Sequence, residues 1–297
     1  QDCASFMREV DAANAAGAKV KVQTLSRPVG VLQGFTLSLN PFRFCPSFAP
    51  LASLAPAERI AALADPALRA ALIAEAAQPA NQSPIGKRYA DLYPLSDPPN
   101  YEPAANESVA ARAAAAGVAP EAMLFDLLMA DGGQGIVYLP LTNYGTGNLD
   151  DMAALIRSDN VLLGLADAGA HVGTICDGSQ PTFMLTHWGR DRNGERLPLP
   201  LLIKAMTSTN AEAVGLCDRG VIAPGYKADI NIIDFDRLRL GAPYPMRDLP
   251  AGGLRMSQDS EGYIATILSG KITYQAGKAT ACLPGRLIRG MQAAPAG

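Results

Sequence analysis

The run Gly164 to Gly173, G-L-A-D-A-G-A-H-V-G, sets Asp167 and His171 four residues apart among small neighbours. A carboxylate can carry a proton and an imidazole can donate or accept one. With only Ala166, Ala168, Gly169 and Ala170 around them, a metal ion or a substrate can approach without side chains in the way. The same pattern suits a turn whose Asp caps a following helix, and one Asp–His pair does not decide between the two. The other histidine, His187, lies with Trp188 and Arg190 in the polar stretch Thr174 to Asp191, which has little periodicity and reads as a substrate-facing loop. A packed His187–Trp188 pair is the plainer reading of that stretch. Asn143, in T-N-Y-G-T-G after an apolar run, is a candidate polar contact or simply a turn former. Arg27, in a loop near the start, is an available anion-binding side chain, although an exposed loop arginine explains it better.

These residues need strands and helices to position them. Val161-Leu162-Leu163 reads as a short buried strand, which puts Asp167 at its carboxyl end, where α/β folds collect catalytic side chains. Gly135 to Leu141 reads as another strand, and Met152, Leu155 and Ile156 mark the helix between them. Ala4 to Ala16 has helical spacing ended by Gly17, and Lys19 to Gln23 alternates as a strand, whereas Ser26 to Asn40 is loop-like. Strands separated by helices imply a parallel α/β architecture. Residues 41–119 change character. Six prolines fall between Gln78 and Asn106, and helical stretches near Pro56 to Leu63 and Pro66 to Ala77 mark a mostly helical insertion. Pro120 opens a helix through Met129; Pro200 to Met206 and Ser208 to Leu216 form two more. From Gly220 the period shortens. Val221-Ile222 and Ala228 to Asp234 flank Pro224-Gly225, and Tyr263 to Leu268 and Lys271 to Tyr274 flank Ser269-Gly270, so two hairpins form a small β module. The resulting division is 1–40, barrel-type helix and strand; 41–119, insertion; 120–219, the last strands and helices with the Asp167 loop; 220–297, the β module and tail.

Composition bounds the function. The chain has 297 residues, 48% of them apolar, which supplies a globular core. A formal charge of −3 offers no basic footprint for nucleic acid or an anionic membrane. No apolar run reaches the ~20 residues of a membrane span. Five scattered cysteines without a C-x-x-C pair disfavour a disulfide framework and fit a reducing cytoplasm. Gln1 opens the chain inside a structural element, which suggests a fragment.

The Asp167 loop, the segment Met206 to Gly220 (M-T-S-T-N-A-E-A-V-G-L-C-D-R-G), the stretch Val221 to Asp234 (V-I-A-P-G-Y-K-A-D-I-N-I-I-D) and the hairpin I-L-S-G-K-I-T-Y-Q-A-G-K together resemble the amidohydrolase superfamily. The branch they resemble is that of the D-aminoacylases, or N-acyl-D-amino-acid deacylases. The resemblance implies an α/β fold, the C-terminal part of a metal-dependent TIM (β/α)8 barrel with a helical insertion, followed by a small β-sandwich module. It implies hydrolysis of a linear amide, most simply an N-acyl amino acid, with one or two Zn2+ ions in a full-length parent. Asp167 matches the aspartate of barrel strand eight, a metal ligand and proton carrier; His171 is a partner of that centre or an oxyanion donor. Asn143, His187 and Arg190 are the substrate-binding candidates. The family's H-x-H pair is missing, since His171 and His187 are the only histidines, so the chain resembles about the last two barrel strands and lacks most of the ligands of a catalytic zinc. A catalytically incomplete fragment or a binding protein on a truncated barrel is the alternative reading; a nucleophile-based hydrolase is a weaker one, because no G-x-S-x-G occurs. No nucleic acid or membrane partner is expected, and a homo-oligomer remains open. An open two-stranded edge predicts marginal stability or aggregation of the isolated chain, which a sharp, cooperative melt of a soluble monomer would contradict.

Overall fold

The computed structural model describes residues 3–82, 88–164 and 169–295. Helix α1 (Cys3–Ala15) leads into strand β1 (Val22–Thr24), followed at once by β2 (Gly30–Gln33). Helices α2 (Pro56–Leu63) and α3 (Pro66–Ala76), the two-residue strand β3 (Tyr93–Pro94), and helices α4 (Val109–Ala116) and α5 (Pro120–Gly133) make up the next hundred residues. Local chemistry sets these ends. Asp65 accepts the Ala67 N–H at 2.8 Å with Pro66 behind it, and Ser108 accepts the Ala111 N–H at 3.2 Å. Gly117 ends α4 in the left-handed region at φ 66°, and α5 breaks after Met129, where Asp131 and Gly132 turn left-handed.

Strand β4 (Val137–Pro140), helix α6 (Asp150–Arg157) and strand β5 (Val161–Leu163) follow. Strand β1 pairs in parallel with β5, Val22 opposite Val161 and Thr24 opposite Leu163. Beside this pair, β4 lies antiparallel between β2 and β3. The parallel arrangement expected for the strand at 137–140 is therefore not the one formed, and part of the loop expected over Ser26 to Asn40 is strand β2. All four residues of β2 are buried, and four residues are too few for periodicity to reveal.

Strand β4 explains how two cores share one chain. Val137 and Leu139 face a core built on Phe35, Phe42, Phe48, Phe125 and Leu128, while Tyr138 faces the other, built on Trp188, Leu149, Met152, Phe183 and Leu202. Period-two alternation sends successive side chains to opposite faces, and here both faces are covered. The first core is aromatic: Phe35 meets Phe125 edge-on at 5.4 Å and Phe42 meets Phe125 at 5.6 Å. Thus the proline-rich segment contributes Phe42, Phe48, Leu63 and Leu72 to a core that it shares with the flanking β2, α5 and β4 segments. Among the described residues no single helix is long and apolar enough to cross a membrane; α4 and α5 together pass that test only as a pair bent by 108°, with Leu124, Phe125 and Leu128 buried in the core.

Beyond β5 a continuous helical stretch runs from α7 (Gln180–Phe183) into a π-helix, Met184–Asp191. The expected polar loop is helical here, and the wider π winding blurs the 3.6-residue period that would have announced it. Helices α8 (Leu199–Met206) and α9 (Ser208–Ala213) come next. The remaining strands are β6 (Ile230–Ile233), β7 (Arg239–Leu240), β8 (Tyr244–Leu249), β9 (Gly253–Ser257), β10 (Ser260–Glu261), β11 (Tyr263–Leu268), β12 (Lys271–Gln275) and β13 (Lys278–Ala279). They form a four-stranded sheet in the order β13-β12-β11-β6 and the pairs β8-β9 and β7-β10. The hairpin around Ser269-Gly270 is present as β11-β12; the expected one around Pro224-Gly225 is not, because Val221-Ile222 forms no strand and β6 pairs with β11 instead. The described residues are a mixed helix–sheet structure, and none of their sheets closes on itself.

At Gly30 an added Cβ would stand 1.7 Å from the ring of the fully buried Tyr138. Gly30→Ala is expected to lower stability by roughly 1–3 kcal/mol through overpacking. Urea denaturation should show a lower midpoint at an unchanged slope.

Candidate functional site

Asp167 lies outside the described residues, as do Leu165, Ala166 and Ala168. The chain on either side shows what frames that loop. Gly164 donates its N–H to Thr24 O at 3.0 Å, extending the parallel pair by one bond before the loop departs. On the far side His171 is exposed with φ 49°, and its carbonyl accepts the N–H groups of Thr174 at 2.8 Å and Ile175 at 3.0 Å. A left-handed non-glycine residue in a tight turn turns the chain back sharply. The turn is then tied down on two sides, by Leu32 N–H to Thr174 O at 2.8 Å and Met256 N–H to Val172 O at 2.6 Å. Asn143, also left-handed at φ 60°, sits half-buried in the turn after β4.

Past this loop the structure buries what the sequence left exposed. Arg27 is 1% exposed, its guanidinium stacked 3.9 Å over the Tyr101 ring. Its Nη2 donates to Cys176 O at 2.5 Å and to Asp177 Oδ1 at 3.4 Å. The expectation of an exposed loop arginine is corrected: the residue closes the carboxyl end of β1 from inside. Cys176 beside it is pushed up to about 11 by burial, against the opposing effect of Arg27, so it is a neutral thiol at physiological pH.

His187 and Arg190 meet at a cleft of about 650 Å³, whose lining includes Glu102, Arg192 and Asn148 but neither His171 nor Asn143. The His187 ring lies stacked on Phe183 at 4.4 Å and perpendicular to Trp188 at 5.7 Å. Its Nε2 is 2.7 Å from Glu102 Oε2. The carboxylate also takes Arg192 Nε at 2.9 Å, Arg192 Nη2 at 2.7 Å and the Leu149 N–H at 2.8 Å. Burial would raise the Glu102 pKa, but the hydrogen bonds from His187, Arg192 and Leu149 outweigh it and bring it down to about 2. An ionised carboxylate only accepts, so Nε2 of His187 must donate, and in the neutral ring Nδ1 is the basic nitrogen. That is an oriented imidazole able to accept a proton or a hydrogen bond. Arg190, by contrast, has each of its three nitrogens engaged, with Asp191 and with the carbonyls of Phe235, Asp236 and Leu238. It acts as a strut between the π-helix and the segment leading to β7.

Glu102 and Arg192 escaped sequence reasoning because they lie 90 residues apart and Glu102 sits in a proline-rich stretch with no periodicity. Two smaller spaces adjoin the parallel pair. One, of about 500 Å³, borders Gly164, Asn210, Arg219 and Asp229; the other, of about 60 Å³, borders Ser26, Gly164 and Gln180. Among the described residues no three His, Cys, Asp or Glu side chains stand together as a metal site would need, so the described residues do not by themselves fit a zinc centre.

The family model of the amidohydrolases (Amidohydro_3) matches residues 8–274. The chain belongs to the amidohydrolase family. Among solved structures, this amidohydrolase chain is similar to N-acyl-D-glutamate deacylase from Bordetella bronchiseptica, complexed with zinc and a phosphonate mimic of the tetrahedral intermediate. The identity is 17% over 91% of this chain and 43% of that one, with a TM-score of 0.41. It is also similar to D-aminoacylase, with 19% identity over 64% of this chain and 36% of that one and a TM-score of 0.35. The chain thus spans less than half the length of the structures it matches. No curated protein matches it.

A depressed carboxylate contributes stability that is present above its unfolded pKa and lost as pH falls through its folded one. For Glu102 that window runs from about 4.5 down to about 2. Glu102→Gln should therefore destabilise the protein at pH 7 by on the order of 2–3 kcal/mol, and the gap to the unmodified protein should shrink as pH falls through that window. Chemical denaturation at several pH values measures both.

Proposed function

We propose that the protein works, as part of a longer amidohydrolase, in the hydrolysis of a linear amide, most simply the deacylation of an N-acyl amino acid. The observation that carries this reading is the family match over residues 8–274, which includes the G-L-A-D-A-G-A-H loop. In this reading the β1–β5 pair belongs to a barrel whose other strands lie in the remainder of the whole protein. Zinc, as one or two ions, belongs to that whole protein, with Asp167 contributed by this chain; a binuclear metal centre is described for D-aminoacylase.

The chemistry asked of this chain's residues is proton movement and orientation. Asp167 takes a proton from the attacking water as its oxygen bonds to the acyl carbon, then returns it to the amide nitrogen as the C–N bond breaks, leaving a carboxylate and a free amine. One group can serve both steps because the proton gained in the first is the one needed in the second. His171, four residues on, is proposed to steady the same loop or to donate to the developing oxyanion. His187 is proposed to act on the substrate's polar groups through Nδ1, and Asn143, which lies outside that cleft, from the turn after β4; Arg190, whose three nitrogens are engaged with protein groups, is proposed to hold the cleft wall. A preference for D-amino acids is the finer part of the proposal and rests on the resemblance of the branch.

The test uses the full-length protein with matched N-acetyl-D- and N-acetyl-L-amino acids. Release of amine from the D series is expected, with loss of activity on chelation and a fall of roughly 10²–10⁴-fold in kcat for Asp167→Asn. Undiminished turnover by Asp167→Asn would remove the proposed role, and turnover unaffected by chelation would favour a nucleophile-based hydrolase.

A further inference from the structure

The cleft of about 650 Å³ beside His187 is lined by three arginines, Arg190, Arg192 and Arg239, a set that by composition suits an anion. Each guanidinium is already gripped by a carboxylate through Nε and Nη2: Arg190 by Asp191, Arg192 by Glu102 and Arg239 by Glu261. That two-bond fork is the geometry with which an arginine would take a carboxylate ligand. An anion entering the cleft therefore finds those forks occupied.

What stays open is an acceptor. The His187 ring is 16% exposed, and its Nε2 is committed to the ionised Glu102 at 2.7 Å. Among the described residues nothing hydrogen-bonds to Nδ1, and Nδ1 is not one of their buried unpaired atoms, so solvent reaches it. The space that His187 borders is this cleft. In the neutral ring Nδ1 carries a lone pair and no hydrogen. A carboxylate there would set lone pair against lone pair, with the charge of Glu102 just across the ring. An ammonium group could donate, but it would enter a lining that holds three guanidinium groups against two carboxylates, Glu102 and Asp191. A neutral N–H or O–H is the group that fits. The acceptor is held in place by the stack on Phe183 at 4.4 Å, and Pro98, Pro99, Pro103 and Leu240 supply apolar wall around it. One fixed polar atom among apolar surfaces, in a space of this size, is the usual make-up of a small-molecule site.

We propose that this cleft recognises a neutral hydrogen-bond donor, a carboxamide or a hydroxyl, through Nδ1 of His187, and rejects carboxylates. The inference rests on the reading in which His187 acts on the substrate, and deepens it by naming the group it meets: a side-chain amide or alcohol of the substrate, not a side-chain acid. The ionised Glu102 keeps the ring proton on Nε2, which leaves Nδ1 free to accept.

Two measurements test this in the full-length protein. With ¹⁵N-histidine labelling at mildly alkaline pH, the Nδ1 signal of His187, assigned by its loss in both His187→Gln and His187→Phe, should move saturably with butanamide. N,N-dimethylacetamide, an isomer of butanamide with no N–H, should leave it in place, as should butanoate. No shift with butanamide, or equal shifts with all three, overturns the proposal; so does a spectrum that shows the ring proton on Nδ1. In steady-state kinetics the substrates are N-acetylglutamine, in the configuration the enzyme hydrolyses, and its methyl-ketone analogue, in which CH3 replaces the side-chain NH2. The amide should have the higher kcat/KM by roughly tenfold or more, and His187→Phe should erase the difference. Hydrolysis of both with the same kcat/KM overturns the proposal and leaves amide hydrolysis standing. Hydrolysis of neither removes the amide reading, while the butanamide titration still decides what the cleft accepts.

Discussion

The carboxylate of Glu102 is the contact on which the arrangement around the cleft depends. Four donors reach it: two nitrogens of Arg192, Nε2 of His187 and the N–H of Leu149. They come from three residues in two parts of the chain, and Glu102 itself lies in the proline-rich segment. An ion shielded from water must be met by hydrogen bonds on all sides, so each donor is held in place by the others. The Leu149 contact also sets negative charge at the start of α6, where the helix dipole favours it. Arg192 is 1% exposed and carries a second bond to Asp150, which closes the network.

A second buried cation does the same work one layer away. Arg27 joins the end of β1 to the Cys176-Asp177 turn and lies on Tyr101, the residue before Glu102. Tyr101 in turn exchanges hydrogen bonds with Gln258, which also takes Ser179 Oγ at 2.5 Å and donates to Gly241 O at 2.8 Å. Tyr101 and Glu102 thus fasten the proline-rich segment to Arg27 beyond β1, to the π-helix and to Gln258 after β9 at once. The π winding suits this role. It brings His187 over Phe183 while Trp188 turns inward, where its indole N–H finds Ser26 O.

In this amidohydrolase chain the α7–π-helix stretch borders both a cleft and a small cavity. Gln180, at its start, borders the small cavity; His187 and Arg190, near its end, border the cleft. Whatever shifts this one stretch shifts both spaces.

Much of the framework was legible from local signals. Pro66, Pro120 and Gly117 mark helix ends by their own backbone chemistry, the Ser269-Gly270 hairpin follows from alternation around a turn, and the family pattern of the Asp167 loop and of Met206 to Asp234 can be read directly from the residues. Those features depend on neighbours a few residues away. Strand β2, the helical state of residues 180–191, the burial of Arg27 and the meeting of Glu102 with His187 and Arg192 were decided only by tertiary structure. Each is stabilised by partners some 85 to 150 residues distant. A short strand gains its order from the sheet that covers it, and a buried charge from the groups that solvate it in place of water. Neither leaves a period in the sequence.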